Sequence, residues 1–513
     1  MKWNTELEER TNLGSGGVGV KLGELLALVP LQSVRGRRDV YIEGVAVDSR
    51  EVRPGYLFVA RQGEKTDGHR FVEEAVTRGA SAVVSEKPPV ALPAASEITW
   101  VQTPDARKAA GLMAAKAWGE PAKKMELVGI TGTNGKTTSA YLIDGLLSRL
   151  SKPSAMLGTV VARIGEQSRP TRHTTPEAPT IQAFLAAAVE AGCRYGALEV
   201  SSHGLALSRL SGMEFQVGVF TNLSRDHLDF HHDMEDYFLA KQLLFTRYLR
   251  PRGRAVVFID DVYGQRLASS LATKPVTFGF SPAADLRIVE ADASLEGVRV
   301  TFREGEVQRE IRSPLLGRYN ALNLLGAYAA VRALGFSSEV ILPALSSVAG
   351  APGRFERVPV SRPYDVIVDY AHTDDALRKL LEAARPLTRG KLWVVFGCGG
   401  ERDRTKRPLM GHAAARLADR VVLTSDNPRG EDPEAIVREI QLGTKENAES
   451  VVVEVDRRKA IALALSQAET GDVVVVAGKG HEPYQIIGDR VLDFDDRLVV
   501  KEILGREGRK DVS

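Results

Sequence analysis

Apolar positions along the chain fall into short runs separated by stretches with helical spacing. Residues 40–47 and 56–60 are β-branched or aromatic runs of strand length, and residues 69–78 carry an amphipathic helical pattern that leads into Ala82-Val-Val84. Together they predict a small mixed α/β unit. An Ala-rich helix is expected over residues 105–118, followed by a boundary at Pro121. From Glu126 to about Gly350, the runs at 127–130, 195–200, 217–220 and 255–259 alternate with helix-like stretches. Such alternation predicts a mostly parallel sheet covered by helices. Ala349-Gly-Ala-Pro-Gly353 reads as a linker, and beyond it the alternation resumes at 365–369, 392–396, 420–424 and 473–477. Residues 1–18, ending in a Gly/Ser-rich patch, read as a flexible lead. The expected division is therefore 19–120, 121–350 and 351–513, in line with roughly 150 residues per domain.

Composition changes this picture little. Of 513 residues, 43% are hydrophobic and 26% charged, and the net charge is +2, with no dense basic block. That balance belongs to an ordinary globular chain and argues against nucleic-acid or membrane partners. Cys193 and Cys398 are the only cysteines. Two distant thiols make no disulfide framework, so a reducing cytoplasm is expected. The start lacks the apolar stretch of a signal peptide, and no run approaches the ~18 residues of a membrane span.

The sharpest chemical signal is Ile130-Thr-Gly-Thr-Asn-Gly-Lys-Thr-Thr138. An apolar run feeds a Gly-rich turn, and a helical stretch follows at 140–147. Glycines let backbone N–H groups approach phosphate oxygens, and a helix N-terminus adds partial positive charge. In such a loop Lys136 reaches the terminal phosphates and the Thr137 hydroxyl serves Mg²⁺. Ile130 stands where the strict pattern has Gly, so the loop is a variant; the bland alternative is a Gly-rich turn with an incidental lysine. Glu199 ends another apolar run ahead of Val-Ser-Ser-His203, and Thr221-Asn-Leu-Ser-Arg-Asp-His-Leu-Asp-Phe-His231 follows a third. Strand ends are where α/β sheets present ligands, and a carboxylate suits Mg²⁺. Each histidine taken singly could equally be a hydrogen-bonded structural residue. Lys241 lies in a helical stretch among apolar neighbours, and on residue pattern alone reads as a surface lysine with its stem laid on them.

These motifs, in this order, resemble the Mur ligases. The resemblance rests on Gly-Thr-Asn-Gly-Lys-Thr-Thr138, Glu-Val-Ser-Ser-His-Gly-Leu205, Asn-Leu-Ser-Arg-Asp-His-Leu-Asp229, Gly-Arg-Tyr-Asn-Ala-Leu-Asn323, Pro-Gly-Arg-Phe-Glu356, Asp-Tyr-Ala-His372 and Gly-Cys-Gly-Gly-Glu-Arg-Asp403. It spans about Val40 to Asp496. Thr-Ser-Asp-Asn-Pro-Arg429 and Gly-Lys-Gly-His-Glu482 resemble the members that add the third residue of the peptide.

The resemblance implies an α/β protein of three domains: a small mixed N-terminal unit for UDP, a central P-loop ATPase with a mostly parallel sheet, and a C-terminal Rossmann-like domain for the incoming amino acid. It implies ATP-dependent ligation of meso-diaminopimelate to UDP-N-acetylmuramoyl-L-alanyl-D-glutamate by a cytoplasmic monomer using ATP and Mg²⁺. Gly132, Thr133, Asn134, Gly135, Lys136, Thr137 and Thr138 would hold the nucleotide, with Asn320, Arg354, Asp369 and His372 joining from the domain junction. Thr137, Glu199, His227 and Lys241 would serve the metal, Lys241 as a carbamate; with Lys136, the last three would be catalytic. Ser49 would contact UDP, and Thr174, Thr175, Ser201 and Arg209 the muramoyl-peptide. Arg402, Asp426, Asn427, Pro428, Arg429, Gly478 and Glu482 would form the amino-acid site, with Arg429 selecting diaminopimelate over L-lysine by gripping its second carboxylate. A loop cation pairing with Glu431 or Asp432 is the alternative for Arg429. Leu207 stands where some relatives have Gln, His173 where an Asn often precedes the Thr pair, and Asp374 where a Pro is common. The competing classes are ligation with L-lysine, a folylpolyglutamate-type ligase, and a P-loop GTPase switch suggested by Asp261-Val-Tyr-Gly264. No Asn here is followed by Lys, so the usual guanine reader is missing.

Overall fold

A computed structural model describes residues 19–63, 66–89, 98–171 and 173–507; the expected flexible lead lies outside them. The described residues form two compact units, one within 19–287 and 325–344, the other within 288–324 and 345–507.

The first unit holds two separate cores. In the N-terminal one, strands β1 (Ser33–Arg35), β2 (Gly44–Ala46), β3 (Tyr56–Ala60), β4 (Ala82–Ser85) and β5 (Thr99–Gln102) form a sheet in the order β1-β5-β4-β3-β2. Only the β1–β5 pair is antiparallel. Leu57 and Val59 of β3 enter one apolar cluster while Phe58 and Ala60 enter another, so both faces of this short sheet are covered. The expected strand at 40–47 is two pieces: Tyr41–Ile42 pairs with Val20–Lys21 in a small separate ribbon, and only Gly44–Ala46 joins the main sheet. The helix expected at 69–78 begins as a tighter turn, Gly68–Phe71, and becomes α-helical only at Val72–Thr77. Helix α1 (Ala106–Ala117) forms where the Ala-rich run predicts it, capped by Asp105 accepting from the Lys108 N–H at 2.8 Å.

The second core of this unit surrounds β6 (Glu126–Thr131), β7 (Ser154–Leu157), β8 (Val161–Ile164), β9 (Gln167–Pro170), β10 (Tyr195–Glu199), β11 (Phe215–Phe220), β12 (Leu249–Phe258) and β13 (Val276–Gly279). They run in the order β9-β8-β7-β10-β6-β11-β12-β13, with β7-β10-β6-β11-β12-β13 parallel throughout. Helices α2 (Lys136–Leu150), α3 (Ala178–Glu190), α4 (Ser202–Ala206) and α5 (Met234–Thr246) connect them. The C-terminal ends of β6, β10 and β11, side by side at the centre, are where such a sheet presents its ligands.

In the second unit, β17 (Glu356–Val358), β18 (Asp365–Asp369), β19 (Leu392–Phe396), β20 (Arg420–Leu423), β21 (Val451–Val453) and β22 (Val473–Ala477) form a sheet ordered β17-β18-β22-β19-β20-β21, preceded in the chain by the strands β14 (Leu286–Ser294), β15 (Gly297–Glu304) and β16 (Val307–Ser313). All pairs but β17–β18 are parallel. Val473, Val475 and Ala477 face one core and Val474 and Val476 the other, which explains the unbroken apolar run. The segment 288–324 groups with this unit because Leu316 joins its core and Arg357 donates to the Leu295 carbonyl at 3.0 Å. Behind the sheet the fully buried Arg457 pairs with Asp496 at 2.7 Å, tying the last helix to the core.

Candidate active site

In the first unit the loop from β6 to α2 is built on two glycines in the left-handed region, Gly132 at φ +147° and Gly135 at φ +84°. A Cβ on Gly132 would collide with the Thr221 hydroxyl, so the close packing of β6 and β11 demands glycine there. Asn134 N–H donates to Asn222 Oδ1 at 2.9 Å and the Thr221 hydroxyl donates to the Asn134 carbonyl at 2.6 Å, which pins the loop from the β11 side. Thr133 Oγ1 lies 3.2 Å from the Tyr237 hydroxyl. Lys136 Nζ curls back onto the carbonyls of Gly132 and Thr133 at 2.9 and 2.8 Å, while Thr138 sits in the first turn of α2.

Glu199, at the end of β10 and buried, collects the neighbouring donors. It accepts from the Thr137 hydroxyl at 2.9 Å, the Thr159 N–H at 2.8 Å and the Thr159 hydroxyl at 3.0 Å. The Thr159 hydroxyl also meets that of Thr174 at 2.9 Å. Thr175 donates to the Glu199 carbonyl and accepts from the Ser201 N–H, both at 2.9 Å, and Ser201 Oγ caps α4 through the Gly204 N–H. Arg209 Nη1 donates to the Thr175 carbonyl at 3.0 Å. The structure therefore gathers Thr137, Thr174, Thr175, Glu199, Ser201 and Arg209 around one strand end. Thr159 was not singled out from the sequence; nothing in a Gly-Thr step after a strand distinguishes it.

Lys241 differs from the surface lysine its residue pattern suggested. It is 1% exposed, its Nζ donates to the Gly132 carbonyl at 2.8 Å and sits 4.5 Å from the Tyr237 ring centre. Burial, with Lys136 nearby, holds its amine well below the ordinary lysine range. The helix α5 turns this face into the sheet, and period alone could not say which face was inside. His227, at φ +53°, packs edge-on to His203 at 4.9 Å between ring centres, and His203 stacks on Phe230 at 4.0 Å. Burial lowers both imidazoles, His203 to about 4. Asp261, the suggested switch residue, instead caps a helix by accepting from the Gly264 N–H at 2.6 Å. Ser49 lies apart from these groups and donates to Glu74 at 2.8 Å.

In the second unit Asp369 ends β18 and accepts from the Phe355 and Ala371 N–H groups, each at 2.7 Å. Burial raises its carboxyl pKa while Arg354 opposes the rise. Arg354 lies 4.6 Å from the Tyr370 ring centre, and His372 Nδ1 approaches the Tyr370 carbonyl at 3.0 Å. Asn320 donates to the Leu316 carbonyl at 2.6 Å. Gly353 and Gly480, both at positive φ, touch so closely that a Cβ on either would strike the other's backbone.

Beyond β20 the buried Asp426 and Asn427 meet Lys479, which is fully buried. Its Nζ lies 3.2 Å from Asp426 Oδ1, 3.0 Å from Asn427 Oδ1 and 3.8 Å from Glu482 Oε2. Asn427 Nδ2 donates to Glu482 at 2.9 Å, and burial raises the Glu482 carboxyl. Arg429 sits at φ +52°, where its N–H donates to the Ile486 carbonyl at 3.1 Å, and its guanidinium donates to the Gly400 carbonyl at 2.8 Å. The expected alternative partner, Glu431, is bound by the buried Arg407 at 3.0 Å, and Asp432 by Arg438. The Pro428 carbonyl accepts from the Glu431 N–H, and the Gly478 N–H donates to the Asp369 carbonyl at 3.1 Å, which joins the two clusters of this unit. Arg402 is exposed and donates to the Glu401 carbonyl at 3.3 Å. Lys479 lies inside the Gly-Lys-Gly-His-Glu482 motif, and its complete burial is visible only in the fold.

A Gly-rich phosphate-type loop on a parallel sheet, with a second doubly covered sheet carrying a buried polar cluster, is an architecture suited to nucleotide-using enzymes. The chain belongs to the Mur ligase family: residues 41–117 match the Mur ligase family catalytic domain, 130–331 the Mur ligase middle domain, and 353–480 the Mur ligase glutamate ligase domain. It is 48% identical over 488 residues to the UDP-N-acetylmuramoyl-L-alanyl-D-glutamate--2,6-diaminopimelate ligase of Gloeobacter violaceus, covering 95% of this chain and 98% of that protein. The protein of the same name from Solibacter usitatus is 44% identical, covering 94% and 98%. A solved structure of a ligase of that name matches with TM-score 0.70 and 34% identity over 96% of this chain and 100% of its own. The three-domain α/β architecture is the one expected from the sequence. Among the described residues no helix is long and apolar enough to cross a membrane, and no three His, Cys, Asp or Glu side chains gather as a metal-binding group.

Proposed function

We propose that the chain uses ATP to join meso-diaminopimelate to UDP-N-acetylmuramoyl-L-alanyl-D-glutamate in the cytoplasm, as a monomer. Residues 19–120 serve the UDP part, 121–350 the ATP, and 351–513 the amino acid. A free carboxylate needs a leaving group before an amine can displace it. The D-glutamyl carboxylate attacks the terminal phosphoryl group of ATP, giving an acyl-phosphate and ADP. The incoming amine then attacks the acyl carbon and phosphate departs, leaving the new amide.

Each part has residues suited to it. The loop N–H groups and Lys136, swinging from its two carbonyls onto phosphate oxygens, stabilise charge on the transferred group. Thr137 and Glu199 offer adjacent oxygens, and His227 lies within electrostatic reach of Lys136 and Lys241. This donor set fits Mg²⁺, which takes few protein ligands and otherwise water and phosphate. Bound there, the ion would neutralise phosphate charge. Burial favours the neutral form of the Lys241 amine, the form that reacts with CO₂, and its carbamate would put an anion beside that site. Thr174, Thr175, Ser201 and Arg209 hold the peptide end of the acceptor. Asn320, Arg354, Asp369 and His372 contact the nucleotide, and Ser49 the uridine diphosphate. Arg402, Asp426, Asn427, Pro428, Arg429, Gly478 and Glu482 receive the amino acid.

The observation that carries the choice of amino acid is Arg429: its guanidinium rests on backbone carbonyls rather than on a carboxylate, beside the pocket of Asn427 and Glu482. Such a group can take a ligand carboxylate that L-lysine does not have. The test is kcat/KM for both amino acids with wild type and Arg429→Ala. Removing one partner of such a pair should lower the preference for diaminopimelate by about 30-fold or more. A wild type that prefers lysine, or a variant that keeps the full preference, would reject the assignment.

A further inference from the structure

Glu177 stands at the N-cap of α3, but its carboxylate does not cap the helix. It reaches instead to two arginines from different domains of the first unit. Arg61, just after β3, approaches Glu177 Oε1 at 2.8 Å, and Arg209 Nε approaches the same oxygen at 3.1 Å. All three side chains are largely shielded, 16%, 25% and 19% exposed for Arg61, Glu177 and Arg209. The Arg209 Nε–H is buried close to that oxygen without hydrogen-bond alignment, so its donor capacity is not used. A third guanidinium, Arg107 of α1, is anchored on the Gln62 carbonyl at 2.9 Å. Burial and the charges of Arg61 and Arg209 push it below its ordinary pKa. One carboxylate thus faces three guanidiniums, and the cluster has room in charge and in donors for a second anion. Arg209 also holds the Thr175 carbonyl, which puts the cluster against the threonine pair.

We propose that Arg61 is a specificity-determining residue that, together with Arg209, grips the carboxylate of the acceptor that does not react. This rests on the reading of the site as a ligase for a D-glutamyl terminus. Such a terminus carries two carboxylates. One is activated, and the other must be held as an anion at a fixed place so that the wrong one is not phosphorylated. Two planar guanidiniums converging on one oxygen are suited to that task. Glu177 marks the place at which they converge and competes for it.

The test compares the natural acceptor with one whose non-reacting carboxylate is an amide, for wild type, Arg61→Gln, Arg61→Lys and Glu177→Gln. For Arg61→Gln, KM for the acid acceptor should rise by about 30-fold or more, while KM for the amide acceptor, ATP and diaminopimelate stays within about threefold. Arg61→Lys should keep part of the acid-over-amide preference, and Glu177→Gln should increase it by removing the competing carboxylate. An equal loss for both acceptors would mean that Arg61 only ties the domains together, and an unchanged KM would mean that it does nothing for the acceptor; either overturns the proposal. Should Arg61→Gln not fold, an unchanged preference in Glu177→Gln overturns it as well. Failure of wild type to turn over the acid acceptor would instead reject the function proposed above.

Discussion

Two lysines less than 5 Å from shared loop atoms have opposite chemistry. Lys136 Nζ and Lys241 Nζ both donate to the Gly132 carbonyl, at 2.9 and 2.8 Å. Lys136 is half-buried at a loop mouth, where a cation can meet phosphate. Lys241 is sealed beneath it, where burial and the neighbouring charge favour the neutral amine. Lys136→Ala should therefore abolish ligation while the thermal midpoint stays within a few degrees, since the side chain contributes to no core; wild-type turnover in that variant would reject its role. Lys241 should take up labelled bicarbonate and give a carbamate carbon signal by NMR, lost in Lys241→Met. If wild type and variant give the same spectrum, the amine is not carbamylated.

The element packed beside the proposed amino-acid site is the hairpin of β23 (Tyr484–Ile487) and β24 (Arg490–Asp493). The Arg429 segment runs beside it, with the Arg429 N–H on the Ile486 carbonyl and the Gly488 N–H on the Arg429 carbonyl at 2.7 Å. Those two bonds hold a non-glycine residue in the left-handed region, which would otherwise cost of order 1–2 kcal/mol. Gln485, buried in the hairpin, donates to the Ser425 hydroxyl at 2.9 Å and the Asp426 carbonyl at 2.8 Å. Gln485→Leu leaves those acceptors without a donor, a loss of about 1–3 kcal/mol. KM for diaminopimelate should rise about 10-fold or more, with KM for ATP unchanged. Equal changes in both constants would point to general loosening of the unit. At the same scale, Asp374 stands where a Pro is common in the family. It opens the helix Asp374–Ala384 behind the Thr373 cap, a first-turn position where an acidic side chain opposes the helix dipole.

For the molecule as a whole, acid should act through a buried imidazole. His481 is pressed against Tyr370, its Nδ1 has no hydrogen-bond partner, and burial with Arg354 and Arg497 nearby lowers its pKa to about 4 from 6.5. The unfolded chain binds this proton below about pH 6.5 and the folded chain only near pH 4. The contribution of His481 to stability is therefore full above pH 6.5 and is lost as pH falls towards 4. Between those values the urea midpoint of wild type should fall more steeply than that of His481→Gln. Parallel curves would exclude His481 as the group.

Residue order alone determined most of the strands and the contiguous motifs. The strands at Tyr56–Ala60, Asp365–Asp369, Leu392–Phe396 and Val473–Ala477 fall where the sequence places them, because a strand buried on both faces reads as an unbroken apolar run, in Asp365–Asp369 one bounded by two aspartates. The phosphate loop was legible because its glycines, lysine and threonine are contiguous. Where side chains meet across the fold, local pattern was silent. Thr159 reaches Glu199 from 40 positions away, and Arg61 shares Glu177 with Arg209 although more than 100 residues separate it from either. The burial of Lys241 was misjudged for the same reason. An α-helix with apolar residues on several sides does not state which face is covered, and only the packing of Met234–Thr246 against the sheet turned that amine inward. Contiguous sequence encodes what neighbouring residues do together, whereas burial, and the charge state that follows from it, are properties of the packed chain.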